Sequence, residues 1–291
     1  MMSRPSQPTG AVPSKGLYGP WSRALRLVNW RVGSWAETRD FAHGLLLKLK
    51  RCYWRWLARR AFDRDYRSHW LSPSYSQEGE DGVLRRIFTG QEAGFYVDIG
   101  AHHPKRYSNT YYFYMFGWRG INVDPARGSM DLFREMRPRD INVEAAVANG
   151  NETLTYYEFD EPTLNGLSRD ISLARSKNGP YRLVGEREVK TMTLVEILDR
   201  HLPAGQSIDF LNIDVEGLDL EVLKSNDWAK YQPTVVLAED LALSNLRQLD
   251  SSPVVCYMEQ HGYELYGRAV NTLIFRRVDH LLPYEQRAKF E

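Results

Sequence analysis

Three runs of apolar residues along the chain each end in an aspartate. The runs end at Asp98, Asp124 and Asp214. A short, continuous apolar run is typical of a strand that is buried on both faces of a parallel sheet. Open α/β sheets bind their ligands at the edge where the carboxyl ends of such strands meet. The pattern therefore predicts a nucleoside-type cofactor at that edge, held by carboxylates at the strand ends.

Strand and helix patterns alternate from Tyr75 to the end of the chain. This alternation predicts an α/β fold with a Rossmann-like, doubly wound sheet, closed by an antiparallel hairpin at its edge. The polar stretch 160–187 shows neither period, and we expect it to form an irregular lid or substrate loop. The predicted strands are 95–99, 120–124, 141–147, 154–159, 189–192, 208–213 and 234–238, with the hairpin at 263–266 and 272–275. The predicted helices are 83–88, 111–116, 129–136, 194–201 with Thr193 as N-cap, 217–225 and 252–261.

The N-terminal quarter of the chain differs from the rest in charge. Residues 1–70 hold 14 Lys or Arg and 4 Asp or Glu, a net charge of +10, whereas residues 71–291 hold 24 basic and 33 acidic residues, a net charge of −9. We therefore divide the chain into a basic, partly disordered and partly helical extension, 1–70, and a globular domain, 71–291.

Within the extension, residues 41–62 have the period of an amphipathic helix. Two interpretations stay open: the helix packs on the globular domain, or it attaches the protein reversibly to an anionic membrane surface or a charged polymer. Apart from charge, no motif indicates nucleic acid as a partner. The apolar face carries Leu45, Leu46, Leu49, Tyr53, Trp56 and Leu57, and the basic ridge carries Lys48, Arg51, Arg55 and Arg59.

The two cysteines, Cys52 and Cys256, lack metal-type spacing. A domain of this length does not need disulfides for its core, which predicts a reduced, cytoplasmic protein. The sequence has no signal-peptide pattern and no apolar run long enough to span a bilayer. We expect any contact with a membrane to be peripheral, through residues 41–62.

The turn after the first predicted strand carries Gly100, whose missing Cβ would let a ligand approach the backbone. Ala101, His102 and His103 follow it, rather than the further glycines of a dinucleotide-binding turn. Asp124 ends the second predicted strand, where an acid accepts hydrogen bonds from both ribose hydroxyls; the alternative is that it caps the following turn. A ribose site without a pyrophosphate cradle favours S-adenosylmethionine over a nicotinamide dinucleotide.

Five motifs in consistent order resemble the FkbM family of S-adenosylmethionine-dependent methyltransferases. They are SQEGED at 76–81, VDIGAHHP at 97–104, SNTYYF at 108–113, GWRGINVDP at 117–125 and LNIDVEGLDLEVLKSNDW at 211–228. The resemblance implies a seven-stranded methyltransferase sheet, mostly parallel with an antiparallel last strand. It also implies an O-methyltransferase, since such enzymes in bacteria often modify sugar hydroxyls of polysaccharides or glycosylated natural products.

The resemblance also implies which residues of the matching motifs surround the cofactor. They are Asp98, Gly100, Ala101 and His102 at the methionine side, Ser108 at the methionine carboxylate, Asp124 at the ribose, Ala145 and Ala146 at the adenine, and in addition Gln77.

A sugar hydroxyl is a weak nucleophile, so methyl transfer to it needs a general base or a metal ion. Asp214 is the natural candidate, because it ends a central strand across the cofactor crevice. Glu239 and Asp240 end the next predicted strand, and three carboxylates with open positions suit Mg²⁺ or Mn²⁺. One alternative is a metal-free base, either Asp214 or a turn histidine; His102 and His103 are adjacent, so their side chains point in different directions and at most one, taken as His102, faces the site. The other alternative is a structural role for Glu216 and Glu239 at turns or helix starts.

Two other functions compete with a methyltransferase. A nicotinamide-dependent oxidoreductase on a similar sheet is disfavoured because the glycine fingerprint is absent. A non-catalytic cofactor-binding module is disfavoured because the acids expected around an acceptor are present. We therefore expect an S-adenosylmethionine-dependent O-methyltransferase whose acceptor is a sugar unit or glycan; the sequence makes no prediction of oligomeric state.

Overall fold

The computed structural model describes residues 72–282 and Glu285, together with seven helical residues of the N-terminal extension. Contacts divide the chain into two compact units, Met1–Ser72 and Pro73–Glu291. The seven helical residues are Leu46, Lys48, Leu49, Cys52, Tyr53, Trp56 and Arg60.

In the first unit, the exposed side chains of Leu49, Tyr53 and Trp56 lie at the spacing of one helical face. The ridge arginines of the predicted helix 41–62 lie outside the described residues, and attachment to an anionic surface stays a prediction. Over the part of the chain that the structure describes, no helix has the length and apolarity needed to cross a membrane.

Strands and helices of the second unit follow one another in the predicted alternation. The strands are β1 (Phe95–Ile99), β2 (Arg119–Asp124), β3 (Ile141–Glu144), β4 (Ala146–Val147), β5 (Thr153–Phe159), β6 (Leu183–Met192), β7 (Phe210–Ile213), β8 (Val235–Glu239), β9 (Tyr263–Ala269) and β10 (Thr272–Arg277). The helices are α1 (Glu80–Ile87), α2 (Tyr111–Met115), α3 (Ser129–Met136), α4 (Arg169–Asn178), α5 (Leu194–His201), α6 (Asp219–Lys224) and α7 (Pro253–Gln260), with 3₁₀ turns at Pro162–Leu164 and Leu246–Ser251.

Seven strands form one sheet in the order β3-β2-β1-β7-β8-β10-β9. The first five run parallel to one another, and β10 is antiparallel to both β8 and β9. The predicted sheet, mostly parallel with an antiparallel last strand, is confirmed. The dinucleotide-binding sheet with strand order 3-2-1-4-5-6 does not contain an antiparallel strand inserted between two parallel ones. The position of β10 between β8 and β9 therefore disfavours the oxidoreductase alternative.

Helices cover both faces of the sheet, which explains why β1 is buried along its whole length. On one face, Val97 of β1 belongs to a core with Leu198 of α5 and Met258 of α7. On the other face, Tyr96 belongs to a core with Phe113 of α2. Because successive residues of a strand point to opposite faces, one apolar run supplies both cores.

Local sequence sets where α5 and α7 begin. Thr193 Oγ1 accepts a hydrogen bond from the N–H of Glu196 at 3.3 Å, and the Glu196 carboxylate accepts one from the N–H of Thr193 at 3.0 Å. This reciprocal cap confirms the predicted start of α5. Ser252 caps α7 by accepting from the N–H of Val255 at 3.2 Å, and Pro253 occupies the first helical position.

Two predictions for the middle of the chain are wrong. The predicted strand 141–147 divides after Glu144, because β4 leaves the large sheet and pairs with β6 in a second sheet of order β4-β6-β5. The stretch 160–187 is not irregular, since it contains a 3₁₀ turn, α4 and the start of β6; its role as a lid or substrate loop stays a prediction. The sequence pattern misses α4 because this helix buries little besides Ser172. It predicts only the end of β6, because Gly185 and Arg187 occupy less exposed positions of that strand where apolar residues would be expected.

The side chain of Arg137 is fully buried between the end of α3 and strands β1 and β2. Its Nε donates to Oδ2 of Asp140 at 2.8 Å, and its Nη2 donates to the hydroxyl of Tyr96 at 2.7 Å. Its Nη1 donates to Oγ1 of Thr110 at 3.0 Å, and Asp140 also accepts from the N–H of Gly120 at 3.0 Å. These hydrogen bonds satisfy the donors of the Arg137 guanidinium and the acceptors of the Asp140 carboxylate. A buried ion pair needs such partners to offset the cost of removing both charges from water.

Replacing Arg137 by Met would leave the Asp140 carboxylate buried without its cation, and we expect the free energy of unfolding to fall by about 3–5 kcal/mol. Arg134→Met is the matched control, because Arg134 lies on the same helix in an exposed pair with Asp131 and should contribute less than about 1 kcal/mol. Urea denaturation followed by circular dichroism measures both variants. Equal stability of the two would contradict the role assigned to Arg137.

Candidate active site

A cleft opens at the carboxyl ends of β1, β2 and β7, the edge at which the sequence predicts the cofactor. The strand ends form one side, and Tyr156 of β5 with residues 162–167 forms the other. The cleft is lined by Gln77, Ile99, Gly100, His102, Tyr107, Val123, Asp124, Pro125, Ala126, Ala145, Val147, Tyr156, Pro162, Thr163, Asn165, Gly166, Leu167, Asp214, Val215 and Glu216.

Gly100 lets the ends of β1 and β7 approach each other closely. Its φ is +85°, and a Cβ at this position would lie 1.7 Å from the carbonyl oxygen of Asp214. The N–H groups of Gly100 and Ala101 both donate to the carbonyl of Val123, at 2.9 and 3.0 Å. Glycine is therefore required here by the packing of strand ends as well as by the turn.

Asp124 is almost fully buried at the end of β2 and lines the cleft. Its Oδ2 accepts from the N–H of His102 at 3.0 Å, and its Oδ1 accepts from the N–H of Ala126 at 2.8 Å. Burial raises the pKa of this carboxyl, and the two N–H groups partly offset that effect. Each oxygen keeps a lone pair with which it can accept a further hydrogen bond from a ligand hydroxyl.

His102 and His103 take different directions, as the sequence predicts for adjacent residues on a turn. His102 has a positive φ of 49° and lines the cleft, and its Nε2 is buried without a hydrogen-bond partner among the described residues. His103 instead accepts from the N–H groups of Lys105 and Arg106 through its Nδ1, at 3.0 and 2.9 Å. Burial lowers the pKa of His102, so its ring is neutral at pH near 7.

Four acidic residues gather where β7 and β8 end. Burial is the main cause that raises the pKa of Asp214 well above its ordinary value, and the nearby charges of Glu239 and Glu216 add to it. Burial likewise raises the pKa of Asp219 to about 7 and that of Glu239 to about 8. Carboxylates in this position resist ionisation because both desolvation and mutual repulsion disfavour the charged form.

The wall opposite the strand ends is fixed by an ion pair. Nη2 of Arg175, on α4, donates to Oε2 of Glu216 at 2.5 Å, and its Nη1 donates to the carbonyl of Leu164 at 3.2 Å. Burial raises the pKa of Glu216, and the Arg175 charge lowers it. Residues Tyr157 and Gly166 exchange backbone hydrogen bonds of 2.9 and 3.2 Å, which hold the 162–167 segment against β5.

The structure does not support the predicted metal site at Asp214, Glu239 and Asp240. Asp240 Oδ2 accepts from the Ser252 hydroxyl at 2.6 Å and its Oδ1 accepts from the N–H of Ala242 at 3.1 Å, so this carboxylate is occupied by the start of α7. Among the described residues, no group of three or more His, Cys, Asp or Glu could hold a metal ion. Glu239 and Asp240 are adjacent at a strand end, so their side chains point in different directions.

The predicted cofactor residues divide into two groups. Gln77, Gly100, His102, Asp124 and Ala145 line the cleft, whereas the other four are absent from its lining within the described part of the chain. For those four, direct contact with a cofactor stays a prediction. Asp98 accepts hydrogen bonds from Thr110 and Asn212, and Ser108 accepts one from the N–H of Tyr111. Ala101 packs with Met130 and Phe133, and Ala146 pairs with β6.

Sequence reasoning missed Tyr107 and Tyr156, which help to complete the cleft. Segment 162–167 lies within the stretch 160–187, for which the sequence predicts a lid or substrate loop. Tyr156 belongs to a strand that was predicted, but the alternation of β5 does not reveal which face meets the cleft. Segment 162–167 is brought there by pairing of Gly166 with Tyr157, 9 residues apart, for which its composition gives no signal.

Comparison with protein families matches residues 98–265 to the methyltransferase FkbM domain, which is more than half of the chain. The chain belongs to the FkbM methyltransferase family. Membership implies the use of S-adenosylmethionine and disposes of the oxidoreductase alternative.

No curated protein matches this FkbM methyltransferase. Among solved structures, it is similar to a candidate RNA methyltransferase, PH1948, from Pyrococcus horikoshii, with 11% identity and a TM-score of 0.36. The similarity covers 69% of this chain and 84% of that one. Likeness at this level carries no argument about function.

The cleft of the FkbM domain suits the parts of S-adenosylmethionine. The carboxylate of Asp124, whose contact with ribose hydroxyls stays a prediction, lines the cleft together with the apolar side chains of Val123, Ala145 and Val147. The buried Nε2 of His102 is a polar atom without a hydrogen-bond partner in the part of the chain that the structure describes. Donors, acceptors and apolar surface are thus arranged for a nucleoside with a short polar tail.

Replacing Asp124 by Ala removes the acceptor for the ribose hydroxyls, and we expect the affinity for S-adenosylmethionine to fall by about 1.5–3 kcal/mol. Glu144→Ala is the matched control, because Glu144 pairs with Asp124 in the β2–β3 register but is exposed. Calorimetric titration of both variants measures the difference, with thermal unfolding as a check on folding. Unchanged affinity in a folded Asp124→Ala protein would remove this residue from the cofactor site.

The variant Glu239→Gln tests the raised pKa of the buried acids, because that pKa makes the free energy of unfolding depend on pH. The pKa of Glu239 in the folded state, about 8, lies above its unfolded value, so its contribution is present at low pH and is lost as pH rises through about 8. Wild-type stability should therefore fall between about pH 5 and about pH 8.5 by at least about 1.4 kcal/mol more than that of Glu239→Gln. Denaturant titrations at both pH values measure this, with exposed Glu259→Gln as the control. Parallel pH profiles for wild type and Glu239→Gln would contradict the assignment.

Proposed function

We propose that this protein is an S-adenosylmethionine-dependent O-methyltransferase that modifies a hydroxyl of a polyhydroxylated acceptor, such as a sugar unit of a polysaccharide or of a glycosylated metabolite. The observation that carries the proposal is Asp214, a carboxyl of raised pKa at the cleft beside the cofactor strand ends. A carboxylate with raised proton affinity is the group that an alcohol acceptor requires.

The far wall of the cleft supports an acceptor with many hydroxyls. Thr163, Asn165 and Glu216 present hydroxyl, amide and carboxylate groups there, and Gln77 adds a second amide. Such groups match hydroxyls, which both donate and accept hydrogen bonds. Because Arg175 fixes Glu216 in place, the wall can orient an acceptor with little loss of freedom on binding.

The chain's own residues must deprotonate the acceptor and exclude water. Bound S-adenosylmethionine supplies the electrophilic methyl group. In this proposal a carboxylate oxygen of Asp214 takes the proton of the acceptor hydroxyl, and the carboxyls of Glu216 and Glu239 beside it keep its proton affinity high. The Nε2 of His102 is the second candidate for a base, since the ring is neutral and the atom has no partner among the described residues.

Asp214→Asn should lower kcat by about 10²–10⁴-fold while S-adenosylmethionine still binds, because the amide cannot take a proton. The wild-type kcat should rise with pH through a value above about 4, the ordinary aspartate range, and the variant should lose this dependence. Transfer of a labelled methyl group to a polysaccharide hydrolysate measures both. Label that survives mild alkali identifies an ether, whereas label released as methanol identifies an ester and would contradict a hydroxyl acceptor.

His102→Gln separates the two candidate bases. If Asp214 is the base, this variant should keep the acid limb of the pH profile. Full activity of Asp214→Asn together with loss of the limb in His102→Gln would transfer the role to His102.

A further inference from the structure

Tyr107 lines the cleft, and two cations and two further tyrosines neighbour it along the chain or through contacts. We call this group the aromatic rim: Tyr75, Tyr107 and Tyr111 with Lys105 and Arg106. Tyr107 lines the cleft with 47% of its surface exposed, and the Arg106 guanidinium lies 4.6 Å from its ring centroid. The rings of Tyr75 and Tyr111 meet edge to face at 4.8 Å, and Nζ of Lys105 lies 5.7 Å from each. Each cation of the rim therefore lies within about 6 Å of at least one tyrosine ring.

The backbone holds this rim in an unfavourable conformation. Tyr107 has a φ of +55°, which is an outlier for a bulky residue. The next N–H, that of Ser108, donates to the carbonyl of Tyr75 at 3.0 Å, and the N–H of Tyr75 donates to Asp81 at 2.8 Å. Strain of this kind persists where surrounding contacts impose it, and it is concentrated at ligand sites. Here the strain keeps a large ring at the surface instead of in the core.

The charge of the rim is opposite to that of its surroundings. Residues 71–291 carry a net charge of −9, and the cleft itself contains Asp214 and Glu216. Lys105 and Arg106 are nevertheless exposed, and they directly precede Tyr107, which lines the cleft. Arg106 donates to Glu161 at 3.2 Å, but an exposed pair of this kind is worth little in water and can be exchanged for a ligand anion.

We propose that the aromatic rim binds an anionic sugar unit next to the one that is methylated, so that the acceptor is an acidic oligosaccharide or polysaccharide. This inference rests on the proposed function. Tyrosine rings offer an apolar face with a polar edge, which suits a sugar ring, and the two cations select a carboxylate, phosphate or sulfate substituent. The acidic cleft then receives the neutral unit whose hydroxyl faces Asp214.

The test compares tetragalacturonate with neutral maltotetraose, titrated into the full-length protein in the presence of S-adenosylmethionine. We expect the acidic probe to bind at least about tenfold more tightly at low salt and to lose this advantage near 1 M salt. In a second titration, glucose polymers that carry phosphate esters replace tetragalacturonate. The comparison of the two affinities shows whether the rim binds phosphate or carboxylate more tightly. Equal affinity for acidic and neutral probes would overturn the proposal.

Variants locate the binding surface. Lys105→Ala and Tyr107→Ala should each weaken the acidic probe by about tenfold or more, while Tyr107→Phe keeps the ring and stays within about threefold of wild type. Lys224→Ala, an exposed lysine of α6, is the matched control and should change nothing. Loss of probe affinity in the control, or none in the rim variants, would contradict the assignment.

Two further measurements keep the outcomes distinct. If S-adenosylmethionine itself does not bind, the proposed function fails; if it binds and the acidic probe shows no preference, the rim proposal alone fails. Tighter binding of single-stranded oligothymidylate than of either acidic saccharide would overturn it in favour of a nucleic-acid acceptor.

Discussion

The arrangement of the site depends on a fully buried guanidinium. Arg137 joins the end of α3 to β1 through Tyr96, to β2 through Asp140 and Gly120, and to the start of α2 through Thr110. Thr110 in turn donates to Asp98 at 2.7 Å. A charge without water must satisfy its donors within the protein, so these partners fix the two strands that deliver Gly100 and Asp124 to the cleft.

The same desolvation acts on the other side of the cleft with a different result. Asp214, Asp219 and Glu239 lie where burial and mutual repulsion raise their pKa values, and Arg175 is committed to Glu216. Protonation of these buried acids relieves their mutual repulsion at low pH. As pH rises and the acids must ionise, the folded state loses stability. Once ionised, a carboxylate of raised pKa takes up a proton readily, which links the desolvation and repulsion at this site to the proposed role of Asp214 as a base.

Acidic and basic side chains are separated in the region of the cleft. Asp214 and Glu216 lie at the end of β7, while Lys105 and Arg106 contact tyrosine rings in the turn that contains Tyr107. The basic residues lie in the turn that follows β1, and the acidic residues lie in the turn that follows β7. The same edge of the sheet therefore carries an acidic and a basic surface. The α4 segment closes the opposite side through the Arg175–Glu216 pair, which makes this wall part of the binding surface.

The sequence alone determined the features that depend on local period and local caps. The buried strands, the start of α5 at Thr193, the antiparallel hairpin and the strand-end positions of Asp124 and Asp214 follow from neighbouring residues, because burial pattern and capping act over a few positions. Tertiary structure alone decided which strand-end groups face the cleft. Asp240 turns to Ser252, 12 residues away, Asp98 is held by Asn212, 114 residues away, and α4 is placed by an arginine 41 residues from its partner. Partners so distant in the chain leave no period in the sequence, since each was selected by a single hydrogen bond or ion pair that exists only after the sheet has formed.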